Sequence, residues 1–148
     1  MRRILVGVDG SQYGLAAVKA AAKLAAERGI GEVTLINVIP VAYTTLGPTP
    51  TAAPPESIQS WEVFNEPREV LAKAGVKANL LLRVGDPADE IVRAAKEGGF
   101  DLIVVGHRGL SPAKALLLGS VSNHVASHAP CSVLIVRTGL ENNENTRS

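Results

Sequence analysis

Gly106 and Gly109 are separated by two residues, nine residues then lead to Gly119, and Ser120 follows directly. Glycines let a backbone approach an anion closely, and the free N–H groups at a helix start, aided by the helix dipole, hold one there. In such a cradle Gly119 leaves the approach open and Ser120 adds a hydroxyl. Without that chemistry, Gly106 and Gly109 are a turn after a strand and Gly119 is a helix start. Asp9, in Val8-Asp9-Gly10-Ser11, is the second candidate. Its carboxylate can accept from two sugar hydroxyls or hold a magnesium ion through water. Capping the helix that follows is its alternative role.

The elements that must position these residues are legible as an alternation. Five short runs rich in Val, Ile and Leu read as strands: Ile4–Val8, Val33–Ile39, Val76–Val84, Leu102–Val105 and Ser132–Val136. The first, fourth and fifth are continuously apolar, as expected of parallel strands buried on both faces. Ser11–Arg28 reads as a helix with a serine cap, an apolar stripe of Leu15, Val18, Ala22 and Ala25, and Gly29 past its end. Asp86-Pro87 followed by Ala88–Glu97 and Gly98-Gly99 reads as cap, first-turn proline, body and stop, with Ile91 facing inward. A helix over Glu56–Lys73 holds Pro67, which should kink or split it. A last helix runs from Gly119-Ser120 to about His128, before Pro130. Pro40–Pro55 reads as a loop and Gly139–Ser148 as a polar tail outside the domain of residues 1–138. The right-handed crossover rule folds this βα alternation into one doubly wound, Rossmann-like parallel sheet of five strands, order 3-2-1-4-5, with helices on both faces. Ligands of such sheets sit past the carboxyl ends of the strands where the order reverses. Asp9, Val38–Pro40, Gly85–Asp86 and Gly106–Ser111 all fall there.

Composition bounds the function. The 148 residues suit one domain, and 46% hydrophobic with 20% charged residues suits a soluble core. A net charge of +1 and 3% aromatic residues supply neither the cationic surface nor the stacking platform of a nucleic-acid binder. Val33–Pro55 and Ala115–Val136 lack charged residues, but prolines in the first and His124, His128, Asn123 and Pro130 in the second argue against membrane spans. A single cysteine, Cys131, and a start that leads straight into Ile4–Val8 place the protein in the cytoplasm.

Taken together, Gly106, Gly109, Gly119 and Ser120, the opening Ile4-Leu5-Val6-Gly7-Val8-Asp9-Gly10-Ser11, Leu35-Ile36-Asn37-Val38-Ile39, Gly85-Asp86-Pro87 and Gly119-Ser120-Val121-Ser122 resemble the nucleotide-binding branch of the universal stress protein family, from Arg3 to Arg137. The resemblance implies that Asp9 contacts a ribose, that the Val38 backbone faces adenine, and that Gly106, Gly109, Gly119, Ser120 and Val121 surround ribose and phosphates. Val8, Arg108 and Ser122 complete the set. The ligand it implies is ATP, or AMP or ADP, with or without Mg2+. His107 and Arg108 fill positions where the family varies, and Pro40–Pro55 departs from its usual loop.

Catalysis has less support than binding. The chain has no G-x-x-x-x-G-K-[ST] loop and no G-x-G-x-x-G. Between Leu102 and Leu140 there is no Asp or Glu, so a carboxylate to order an attacking water must come from Asp9 or Asp86. The expectation is a dimeric stress or energy-state regulator with slow or no hydrolysis and no catalytic residue. A slow phosphohydrolase or nucleotidyl-transfer enzyme and a ligand-free interaction module are the alternatives. Arg108 and Lys114 either add charge at the phosphates or are solvated. His124 and His128 have a spacing that can grip a metal, but the sequence offers no accompanying carboxylate, and they read as a solvent-facing helix surface; no metal site is expected. Cys131 reads as a small buried hydrophobe, and Trp61 and Phe64 as packing for the second helix. The strand Ser132–Arg137 falls at a sheet edge, where pairing with a second copy closes a two-fold homodimer, as the resemblance also implies.

Overall fold

Nine elements alternate along the chain in a computed structural model that describes residues 2–40, 61–108 and 119–138. They are β1 (Ile4–Gly7), α1 (Gln12–Arg28), β2 (Glu32–Ile39), α2 (Asn65–Lys73), β3 (Lys77–Val84), α3 (Pro87–Gly98), β4 (Leu102–Arg108), α4 (Ser120–His128) and β5 (Ser132–Thr138). All strand pairs are parallel, as the alternation predicts, and the order is the expected β3-β2-β1-β4-β5. Most of the Pro40–Pro55 loop, the start of the Glu56–Lys73 segment, Gly109, Ser111, Lys114 and the Gly139–Ser148 tail lie outside the described residues.

Strand alternation sorts the apolar residues onto two faces. Ile4, Val6, Val33, Leu35 and Val104 meet α1 and α2 in one core, while Leu5, Ile36, Ile103 and Val105 meet α3 and α4 in the other. β1, the middle strand, is therefore apolar at every position. β5 departs from the expectation of burial on both faces. As the outermost strand it has one neighbour, Leu134 is 39% exposed, and Val133, Ile135 and Val136 are half-buried.

Helix α1 begins where the Ser11 side chain accepts the Gly14 N–H and ends at Gly29 in the left-handed region, φ 70°. Its buried face is Gly14, Ala17, Val18, Ala21, Ala22 and Ala25, with Leu15 only half-buried, so the inward stripe is made of smaller residues than expected. Small side chains let the helix axis lie close to the sheet, and enlarging one would cost roughly 1–3 kcal/mol in overpacking. Helix α3 starts with Asp86 accepting the Asp89 N–H and Pro87 in the first turn, and stops at Gly99, as read from the sequence. The expected split of the Glu56–Lys73 helix is present, but ahead of Pro67 rather than at it. Pro67 occupies the first turn of α2, where a missing N–H removes little, and the break falls at Val63-Phe64 just before it. Phe64 is fully buried, whereas Trp61, tilted against it at 5.6 Å, is 38% exposed and packs less than expected.

Candidate functional site

The site exists because the middle strand is short. β1 has four residues, while its neighbours β2 and β4 have eight and seven, so a notch opens past Gly7 between them. The β1–β2 ladder closes with the Val8 N–H donating to the Ile36 carbonyl at 2.9 Å. Val38, two residues further along and facing the same way, has no β1 residue opposite it, so its N–H and C=O face the notch. Helix starts wall the opening, and the resulting cavity is about 760 Å³. Of the residues singled out in the sequence, Val8, Asp9, Val38, Gly106, Gly119, Ser120, Val121 and Ser122 line it together. Arg108 ends β4 opposite Thr138, and Gly109 lies outside the described residues.

Asp9 is not the cap of α1; Ser11 is. Asp9 Oδ1 accepts both the N–H and the hydroxyl of Ser11, whose oxygen in turn accepts the Gly14 N–H at 3.2 Å. This chain fixes the carboxylate at the rim, exposed, with Oδ2 uncommitted among the described residues. Across the cavity α4 begins at Gly119, which has no side chain to cap it. The first helical bond runs from the Asn123 N–H to the Gly119 carbonyl, so the amides of Ser120, Val121 and Ser122 precede the ladder. An acceptor-bearing rim on one side and a donor-bearing rim on the other suit a ligand with hydroxyls at one end and anionic oxygens at the other.

Two features of this wall escape the sequence reading. Gly106 is a glycine for packing: a Cβ there would collide with the Tyr13 carbonyl of α1. His107 is 4% exposed, lines the cavity, and accepts the Gly119 N–H on Nδ1 at 3.2 Å, while its Nε2 is buried without a partner among the described residues. Period-two alternation was the available signal, because it puts His107 on the same face as Val105, toward α4. Elsewhere the sequence reading of His124 needs amendment. A carboxylate does accompany it: Asp89 of α3 meets His124 Nε2 at 2.8 Å, and His128 stacks on His124 at 4.2 Å. Among the described residues no group of three or more metal-binding side chains is assembled. Cys131 is half-buried rather than buried, packed against the core under α3 and α4, and that partial burial raises its thiol above its ordinary value. No described helix is long and apolar enough to cross a membrane.

Residues 1–137 match the model of the universal stress protein family. The chain belongs to that family. A universal stress protein of Bacillus subtilis, YxiE, is 37% identical over 91% of this chain and 98% of its own length. Among solved structures, a universal stress protein from Archaeoglobus fulgidus aligns at 26% identity and a TM-score of 0.73, covering 92% of this chain and 98% of that one. A universal stress protein crystallised in complex with cAMP aligns at 25% identity and a TM-score of 0.71, over 93% and 98%. The short β1 and the helix starts around its end are thus features of a universal stress protein in this chain.

Proposed function

We propose that this universal stress protein binds an adenine nucleotide in the notch beyond β1, holds it without rapid hydrolysis, and acts as a cytoplasmic, dimeric reporter of nucleotide state. The observation that carries the reading is the pairing of the Asp9 carboxylate with the uncapped start of α4 across one cavity. Asp9 Oδ2 would accept from ribose hydroxyls, the Val38 backbone would meet the adenine edge, and the amides of Ser120, Val121 and Ser122 would take the phosphates. The cAMP complex of a relative at similar overall structure supports the nucleotide class. ATP, AMP and ADP share these groups, and were magnesium bound with them, Asp9 is the carboxylate among the described lining residues that would help hold it. Asp9 is the single carboxylate among the described lining residues, and it is tied to Ser11, which supports binding over turnover. The outer edge of β5, with Leu134 exposed, supports pairing of two copies through Ser132–Arg137.

The test is to extract the purified protein, identify any retained nucleotide by mass spectrometry, and titrate AMP and ATP calorimetrically with and without magnesium. Retained or titratable adenine nucleotide is expected, with ADP from ATP accumulating slowly or not at all. An empty protein that takes up no nucleotide would defeat the reading, and a strictly monomeric mass at micromolar concentration would defeat its dimeric part.

A further inference from the structure

Among the described residues, His107 Nε2 is the one fully buried side-chain nitrogen or oxygen without a hydrogen-bond partner. Accepting the Gly119 N–H requires Nδ1 to be unprotonated, so the neutral ring carries its proton on Nε2. That N–H is buried and has no acceptor among the described residues. A buried donor left unpaired is costly, and buried polar groups are paired almost everywhere, so the atom calls for an acceptor. Capping Gly119 does not explain the choice of histidine, because a smaller side chain with an acceptor oxygen would do that without adding the orphan donor.

We propose that His107 donates its Nε2–H to a phosphate oxygen of the bound nucleotide, with its tautomer set by Gly119. This rests on the nucleotide reading above and names the residue that discriminates the phosphate end of that ligand. The imidazole lies in the cavity wall at the end of β4, bonded to the residue that opens α4. It would join the amides of Ser120, Val121 and Ser122 as a fourth donor, and no carboxylate between Leu102 and Leu140 competes for any of them. A donor-only cluster selects an anionic acceptor, and hydrogen bonds to charged oxygens are the stronger kind.

The experiment uses the full chain. In 15N spectra of the free protein, His107 should show an unprotonated Nδ1 and a protonated Nε2. Saturating AMP should shift the Nε2–H resonance and slow its exchange, whereas adenosine should leave it in place. His107→Asn keeps an acceptor for Gly119 and removes the donor, so AMP affinity should fall roughly tenfold or more while the circular dichroism melt is retained. A protonated Nδ1, an Nε2–H that ignores AMP while AMP binds, or unchanged AMP affinity in the variant would each overturn the proposal and leave nucleotide binding intact. A wild-type protein that binds neither AMP nor adenosine would instead overturn the nucleotide reading, and this proposal with it.

Discussion

The Tyr13 carbonyl of α1 occupies the space that a Cβ on Gly106 of β4 would need. This approach joins the first turn of α1 to the rim of β4, so the carboxylate side of the cavity and its donor side are set by one backbone contact. Gly14 adds to it, since a Cβ there would lie 3.2 Å from Asp9 Oδ1 and 3.3 Å from the Val8 Cα. The obstacle at Gly106 is backbone and cannot rotate away.

Gly106→Ala should therefore destabilise the protein by about 3 kcal/mol, the upper part of the usual overpacking range. Because the first turn of α1 must move to relieve the clash, Asp9 moves too, and AMP affinity should fall in the molecules that remain folded. Urea unfolding monitored by circular dichroism measures the first effect; an unchanged midpoint would show that α1 does not rest on Gly106.

Gly119→Val should behave in the opposite way. Gly119 has φ −61° and ψ 158°, which a β-branched residue adopts readily, and an added Cβ would find His107 Nδ1 at 3.8 Å as its nearest described neighbour. Stability should fall by no more than about 1 kcal/mol, the cost of replacing an N-cap glycine by an apolar residue. The two added methyl groups stand at the cavity lining, so calorimetry should report AMP affinity lowered at least tenfold. Equal affinity would mean that the anion does not pass Gly119.

Much of this was readable without coordinates. The parallel, doubly wound sheet follows from the βα alternation and crossover handedness, which leave its strand order open, and Ser11, Gly29, Asp86 and Gly99 announce helix ends through local chemistry that needs no distant partner. What escaped was long-range. Gly106 owes its identity to a carbonyl 93 residues earlier in the chain, and the His124–Asp89 pair depends on how α4 lies against α3. His107 sat between two glycines whose spacing drew attention to the backbone and away from the side chain. On α1 the expected stripe is met at Val18, Ala22 and Ala25 and missed at Leu15, because alanine gives weak contrast and Gly14, Ala17 and Ala21 complete the buried face in its place.

Ser11→Ala separates the two roles of the α1 start. The hydroxyl oxygen that accepts the Gly14 N–H is lost, at a cost of about 1 kcal/mol for an N-cap. Asp9 keeps the backbone N–H of position 11, so its carboxylate stays near its place. Thermal unfolding should therefore drop by a few degrees while AMP affinity changes only about two- to threefold. Asp9→Ala should give the converse, a larger loss of affinity than of stability. If both variants lose affinity equally, the Ser11 hydroxyl and not the carboxylate is what the ligand meets.

Asp101 makes stability depend on acid. Its Oδ2 accepts the N–H groups of Arg2 at 2.9 Å and Arg3 at 3.0 Å, pinning the chain start beside the entry to β4, where the Arg3 side chain also reaches the Gly98 carbonyl at 2.8 Å and lies over the Phe100 ring at 4.6 Å. The Arg2 backbone hydrogen bond first, and the Arg3 one after it, hold the carboxyl below its ordinary value of 3.8. The folded protein thus releases this proton more readily than the unfolded chain, so the carboxylate's contribution is complete above the ordinary value and is lost as pH falls through the lowered one. Asp101→Asn removes the ionised acceptor. Denaturant midpoints of the variant should lie below those of wild type at neutral pH, and the gap should narrow as pH falls below the ordinary value and the wild-type carboxylate takes up its proton. A gap that stays constant from pH 7 to pH 2 would assign the effect to side-chain shape and not to the ionised carboxylate.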